Sequence, residues 1–143
     1  MYSYDPTDLI PPRDPVAFTL ALQQGWFGRF RGSVEDDPNR GMPGRGTVDG
    51  RLSYPRIKFV KEMPVAYVAT KKGDKIPFRE WLKDRGLELE IDIPHPPILY
   101  TGEFSDATHA RGAWVILAHS VRLDDTRVLK LPGATGTWDL ETA

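Results

Sequence analysis

From position 26 onward, apolar and polar residues alternate along much of the chain, which is the period of a half-buried β-strand. Trp26, Gly28, Phe30, Gly32 and Val34 fall on one face, and Phe27, Arg29, Arg31 and Ser33 on the other. The same period predicts strands over 45–54, 56–61, 65–70, 98–105, 110–119, 128–131 and 135–141, with Pro55 and Pro64 as punctuation. The cleanest alternation is Leu87, Leu89, Ile91 and Ile93 against Glu88, Glu90 and Asp92, and it predicts a further strand. Two stretches depart from this period. Asp14 followed by Pro15 has the form of an N-cap and first helical position, and Gly25 is a natural stop, so 16–24 reads as a helix. Val16, Phe18, Leu20 and Leu22 also alternate there, which keeps a strand open. Phe78, Trp81 and Leu82 share one side of a short helix over 77–85 that Gly86 ends.

These elements predict a mainly β chain. They assemble as a single antiparallel up-and-down barrel of about eight strands with an N-terminal helix and a short inserted helix. The division is an arm and helix over 1–25, then the barrel over 26–143 with the helical insertion near 77–85. Thirteen glycines and thirteen prolines in 143 residues supply the many turns that such an architecture needs. At this length one domain can bury a core of its own.

A unit recurs on the strands: Gly28-Arg29-Phe30, Gly102-Glu103-Phe104, Gly112-Ala113-Trp114 and Gly136-Thr137-Trp138. A spacing of two puts the glycine and the ring on one face. In a narrow barrel a bulky ring on one strand requires an absent side chain beside it, and glycine permits the bend that closure needs. With these units, the Tyr100-Thr101-Gly102-Glu103-Phe104 strand and the closing Thr135-Gly136-Thr137-Trp138, the chain from about 26 to 141 resembles the calycin-type barrels. That group holds the lipocalins, fatty-acid-binding proteins and avidin-like proteins. The chain departs from them in lacking a Thr-Asp-Tyr signature, in the insertion at about 71–86, and in Phe30 where lipocalins place Trp. The resemblance implies the barrel and a ligand pocket inside it, with no family site carried over residue by residue.

The candidate pocket is lined by Trp26, Phe30, Tyr54, Phe59, Tyr100, Phe104, Trp114 and Trp138, an apolar cup with the Tyr54 and Tyr100 hydroxyls as polar tips. The same rings could equally fill the barrel. No residue is assigned a catalytic role, since a Gly-x-Ser-x-Gly elbow is absent. No metal or cofactor is expected, because His95, His109 and His119 lack motif spacing and there is no cysteine. Asp36, Asp37 and Asn39 read as solvated loop residues, with a calcium loop as the remote alternative. Gly41 to Gly46, flanked by Arg40 and Arg45, reads as a hairpin loop able to contact an anion.

Lys and Arg number 19 against 20 Asp and Glu, a net charge of −1. That total predicts no general nucleic-acid binding and no electrostatic membrane anchor, while leaving room for a local basic patch. The N-terminus lacks the form of a signal peptide, and the expected compartment is the cytoplasm. Ala113, Val115 and Leu117 make the outer face of strand 110–119 apolar, so a helix of the same chain or a second subunit must cover it. The expected function is therefore non-catalytic binding of a small apolar or aromatic ligand in the barrel. The alternatives are an acid/base enzyme on the same scaffold, and an interaction protein that forms a homodimer.

Overall fold

The structure is a computed structural model and describes residues 2–4, 18–37, 44–69, 75–90, 92–122 and 125–142. Twelve strands and one α-helix are assigned among them. The strands are β1 (Tyr2–Tyr4), β2 (Phe18–Gln24), β3 (Arg29–Asp36), β4 (Arg45–Ser53), β5 (Arg56–Glu62), β6 (Tyr67–Ala69) and β7 (Lys75–Pro77). After the helix α1 (Phe78–Lys83) come β8 (Ile98–Phe104), β9 (His109–Ile116), β10 (His119–Arg122), β11 (Arg127–Leu131) and β12 (Ala134–Glu141). Seven strands form one antiparallel sheet in the order β12-β9-β8-β5-β4-β3-β2.

That sheet is strongly curled. The ring of Phe18 on β2 lies 6.0 Å from that of Tyr100 on β8. Those strands are four places apart, a separation of about 19 Å in a flat sheet. The two edges, β2 and β12, do not pair with each other. The result is a half-barrel, not the closed barrel that the alternation predicts. Alternation shows that a strand has one buried face without showing which sheet it joins. Two of the stretches counted toward the barrel join other layers. β11 pairs with β10, and in parallel with β1. β6 pairs with β7 alone.

Two further predictions are corrected. The helix expected over 16–24 is the edge strand β2, paired with β3 from Phe18↔Asp36 to Gln24↔Phe30. Phe18 and Leu20 dip toward the core in alternation, so the period of two outweighed helix propensity there. Residues 14–17, with the supposed cap, lie outside the described residues. The described residues between Leu87 and Ile93 belong to no sheet. Leu87 is buried and Leu89 and Ile93 pack beside it, and the backbone is held by isolated hydrogen bonds, from Ala66 N–H to the Ile93 carbonyl at 2.7 Å and from the Arg79 guanidinium to the Leu89 carbonyl at 2.7 Å. Its alternation reports burial without a ladder. The inserted helix is present as α1, ended by Gly86 at φ +89.

Apolar side chains gather in two clusters. The concave face of the half-barrel holds Phe30, Val34, Val48, Ile57, Phe59, Met63, Ile98, Tyr100, Ala110 and Trp138. The second cluster joins β6 and α1 to β11 through Ala66, Val68, Phe78, Trp81, Leu82, Leu87 and Leu129. The chain leaves for it after β5 and again after β9, at the end of the half-barrel where Asp36 and Lys61 sit. At the opposite end are the β2–β3, β4–β5 and β8–β9 turns. No helix among the described residues is long and apolar enough to cross a membrane.

Candidate functional site

Four of the eight predicted pocket residues form one packed group on the concave face. Phe59 and Tyr100 stack at 4.5 Å with planes 7° apart, and Trp138 meets both edge-on at 5.5 and 6.1 Å. Phe30 abuts Phe59 at 6.2 Å. Glycines make room for the rings of this group. Gly102 and Gly112 face each other across β8 and β9, and Gly112 pairs with Trp138. A Cβ on Gly102 would lie 2.6 Å from the Trp138 ring. The bare backbone lets the indole lie flat, and its N–H donates to the carbonyls of Thr101 (3.0 Å) and Ala113 (3.1 Å). Phe104 and Trp114 are half-buried at the margin of this core.

Trp26 and Tyr54 stand apart from that group. Trp26 is 86% exposed in the short 3-10 turn between β2 and β3, and Tyr54 is 64% exposed in the β4–β5 turn, its ring against Phe104. Gly28 is likewise in that turn, at φ +75, and not in a strand beside Phe30.

A polar knot closes the far end of the concave face. Asp36 is not the solvated loop residue that its acidic neighbours predict: it ends β3 on the inward face and is ion-paired with Lys61 of β5, both side chains almost wholly buried. The Lys61 ammonium also stands 4.9 Å over the Phe18 ring. Burial, and then the Asp36 carboxylate, hold the Tyr100 hydroxyl above its ordinary pKa. Burial, followed by the Lys61 charge, lowers the pKa of His95, whose Nδ1 is 2.7 Å from the Pro96 carbonyl. These are acid–base groups in number, yet among the described residues no buried side-chain N or O lacks a hydrogen-bond partner. The knot is satisfied from within the chain, as a structural pair must be.

The convex face of the same strands is different. The register places Arg29 opposite Arg51 and Arg51 opposite Lys58. Three exposed cations therefore form one row across β3, β4 and β5, about 5 Å from strand to strand. Like charges directly opposite each other destabilise a sheet. The neighbouring carboxylates are engaged elsewhere: Asp49 with Arg31 at 3.4 Å, Glu35 with Arg45 at 2.9 Å, and Glu103 with Arg56 at 3.9 Å. None of the three has an ion-pair partner among the described residues. Two shallow depressions lie along the row. One of about 430 Å³ is lined by Arg29, Asp49, Gly50, Arg51 and Lys58. The other, of about 610 Å³, runs on past Arg51 and Lys58 to Ser53, Arg56, Thr101 and Glu103. The period of two showed these cations pointing outward. Their alignment depends on strand register, which a single sequence does not contain.

The remaining candidates do not converge. His109 is exposed in an Asx-type turn with Asp106, and among the described residues no three metal-ligating side chains group together. Asn39, Arg40 and 41–43 lie outside the described residues. On β9 and beyond, Ala113 is exposed, Val115 is half-buried and Leu117 is 63% exposed. α1 packs in the second cluster. In comparisons with known proteins, no family model, no curated protein and no solved structure matches the chain.

Proposed function

We propose that this is a non-catalytic binding protein whose ligand is anionic and lies across the convex face of β3, β4 and β5. The observation that carries the reading is the row Arg29–Arg51–Lys58, three cations aligned across three strands with no ion-pair partner among the described residues. Mutual repulsion makes this arrangement unfavourable in the free protein, and an anion with two or three negative groups relieves it. The absence of catalysis is supported by the acid–base groups of the concave face being sealed and mutually satisfied. A small apolar ligand inside the half-barrel would have to part the Phe59–Tyr100 stack and the Trp138 edge that fill it. The convex face needs no such rearrangement.

Calorimetric titration with inorganic tripolyphosphate at low ionic strength tests the reading. We expect saturable binding that weakens with salt, and about tenfold weaker binding for Arg51→Gln, the middle cation, from loss of one charge-assisted hydrogen bond. Equal binding by wild type and Arg51→Gln would refute a site at this row.

A further inference from the structure

The end of the half-barrel nearest the cation row carries an exposed aromatic pair. Trp26 and Phe27 are 86% and 88% exposed at the β2–β3 turn, while Tyr54 at the β4–β5 turn leans on Phe104 of the inner face. Phe27 has φ 57 and ψ 36, in the left-handed region that bulky side chains avoid. The turn is held shut by Gly25 N–H donating to the Arg29 carbonyl at 2.6 Å, which ties the aromatic pair to the first cation of the row. Two large rings in water on a strained turn oppose stability twice over, and neither packs into either core.

Resting on the anion-binding reading, we infer that the ligand is a short stretch of single-stranded nucleic acid. Its phosphates would lie along Arg29, Arg51 and Lys58, and its bases would stack on Trp26 and Phe27. The turn Trp26–Gly28 runs directly into Arg29, so the aromatic pair and the first cation of the row are neighbours along the chain. Cations in a line with aromatic rings to one side are the two parts of a single-strand platform. Between row and rings, Ser53 faces the second depression and can meet base edges. The net charge of −1 belongs to the whole chain. On the convex face Arg31, Arg45 and Arg56 are matched by carboxylates, and the row is the local exception.

A membrane surface fits this end less well. A flat anionic bilayer touching the β2–β3 and β4–β5 turns would also meet the β8–β9 turn. There Asp106 stays ionised, its pKa drawn down to about 2 by hydrogen bonds from Thr108 and His109, with Glu141 beside His109. A single strand engages the cation row and leaves that corner in solvent.

The test uses the full chain, fluorescein-labelled oligothymidylate of about a dozen nucleotides, the same length as duplex, inorganic tripolyphosphate, and phosphatidylserine–phosphatidylcholine vesicles. The inference predicts that the single strand binds more tightly than the duplex, with log K falling against log salt at a slope of about −2 for three released counterions. It also predicts quenching of Trp emission. Trp26→Ala and Phe27→Ala should each weaken oligothymidylate binding at least about fivefold and leave tripolyphosphate binding unchanged. Trp26→Phe should keep most of the affinity and lose the quenching. If tripolyphosphate binds at the row but oligothymidylate binds no tighter, or is indifferent to both alanine variants, the nucleic-acid inference is overturned and the anion site stands. A blue shift on vesicles without oligothymidylate binding overturns it in favour of a membrane. Failure of tripolyphosphate and oligothymidylate alike overturns the anion-binding reading as well. Circular dichroism identical to wild type confirms that these exposed substitutions leave the fold intact.

Discussion

Lys58 and Lys61 are three residues apart on β5 and point to opposite sides of one sheet. Lys61, on the concave side, is buried, paired with Asp36 and set over the Phe18 ring. Lys58, on the convex side, is exposed beside Arg51 and has no carboxylate partner among the described residues. The same contrast runs across β3 and β4. Inward positions are rings, aliphatics and the glycines that make room for them, all mutually satisfied. Outward positions carry charge whose pairing is incomplete along one row. Burial forces every charge to be paired, because an unpaired ion there costs several kcal/mol. Exposure imposes no such demand, so unpaired cations can be kept where a ligand meets them.

The largest way to break this contrast is to unpair the inner charge. Asp36→Ala leaves a buried ammonium alone and should destabilise the fold by about 3–5 kcal/mol in urea denaturation. The double change Asp36→Leu with Lys61→Met should recover most of that loss. If Asp36→Ala costs nothing, the pair is not sealed and the concave face is open to water. Next is Gly102→Ala, which pushes a methyl toward the Trp138 ring and should cost about 1–3 kcal/mol by overpacking. Outward Thr101→Ala, one residue away, should stay within about 0.5 kcal/mol.

Alternation alone is enough for the β class and for the inner faces of β3, β8, β9 and β12, while the rings that Gly102 and Gly136 make room for, Trp138 and Trp114, lie on the neighbouring parts of the sheet and not in their own Gly-x-aromatic units. Alternation misplaced what depends on pairing. Residues 18–24 carried helix-like start and stop signals, yet an unpaired sheet edge took them as a strand. Leu87, Leu89 and Ile93 kept their period without joining a ladder. Of the pocket list, Trp26 and Tyr54 fell outside because turn residues do not obey the face of the strand they adjoin. Asp36 was read from its acidic neighbours, while the inward parity of β3 decided its fate. The cation row required register across three strands, which only the folded chain supplies.

Smaller effects sharpen the comparison. Phe27→Asn places a residue that tolerates left-handed backbone at φ 57, and should stabilise the fold by up to about 1 kcal/mol. Thermal unfolding reads that directly, and a loss of stability would show that the Phe27 ring is packed. Acid should act on the inner face. His95 has a lowered pKa in the fold, so the unfolded chain binds its proton first. Stability is complete above the ordinary histidine pKa and falls as the pH drops from there toward the folded value. The loss should be smaller in His95→Asn, measured by urea titration across that window.

The most direct measurement takes the triple variant Arg29→Gln, Arg51→Gln, Lys58→Gln and reads urea stability and tripolyphosphate binding on the same protein. Removing three mutually repelling charges should leave stability unchanged or raise it by up to about 1 kcal/mol, while binding is lost. A variant that binds as wild type does, or that unfolds more easily, would show the row to be structural and contradict a binding role for the convex face.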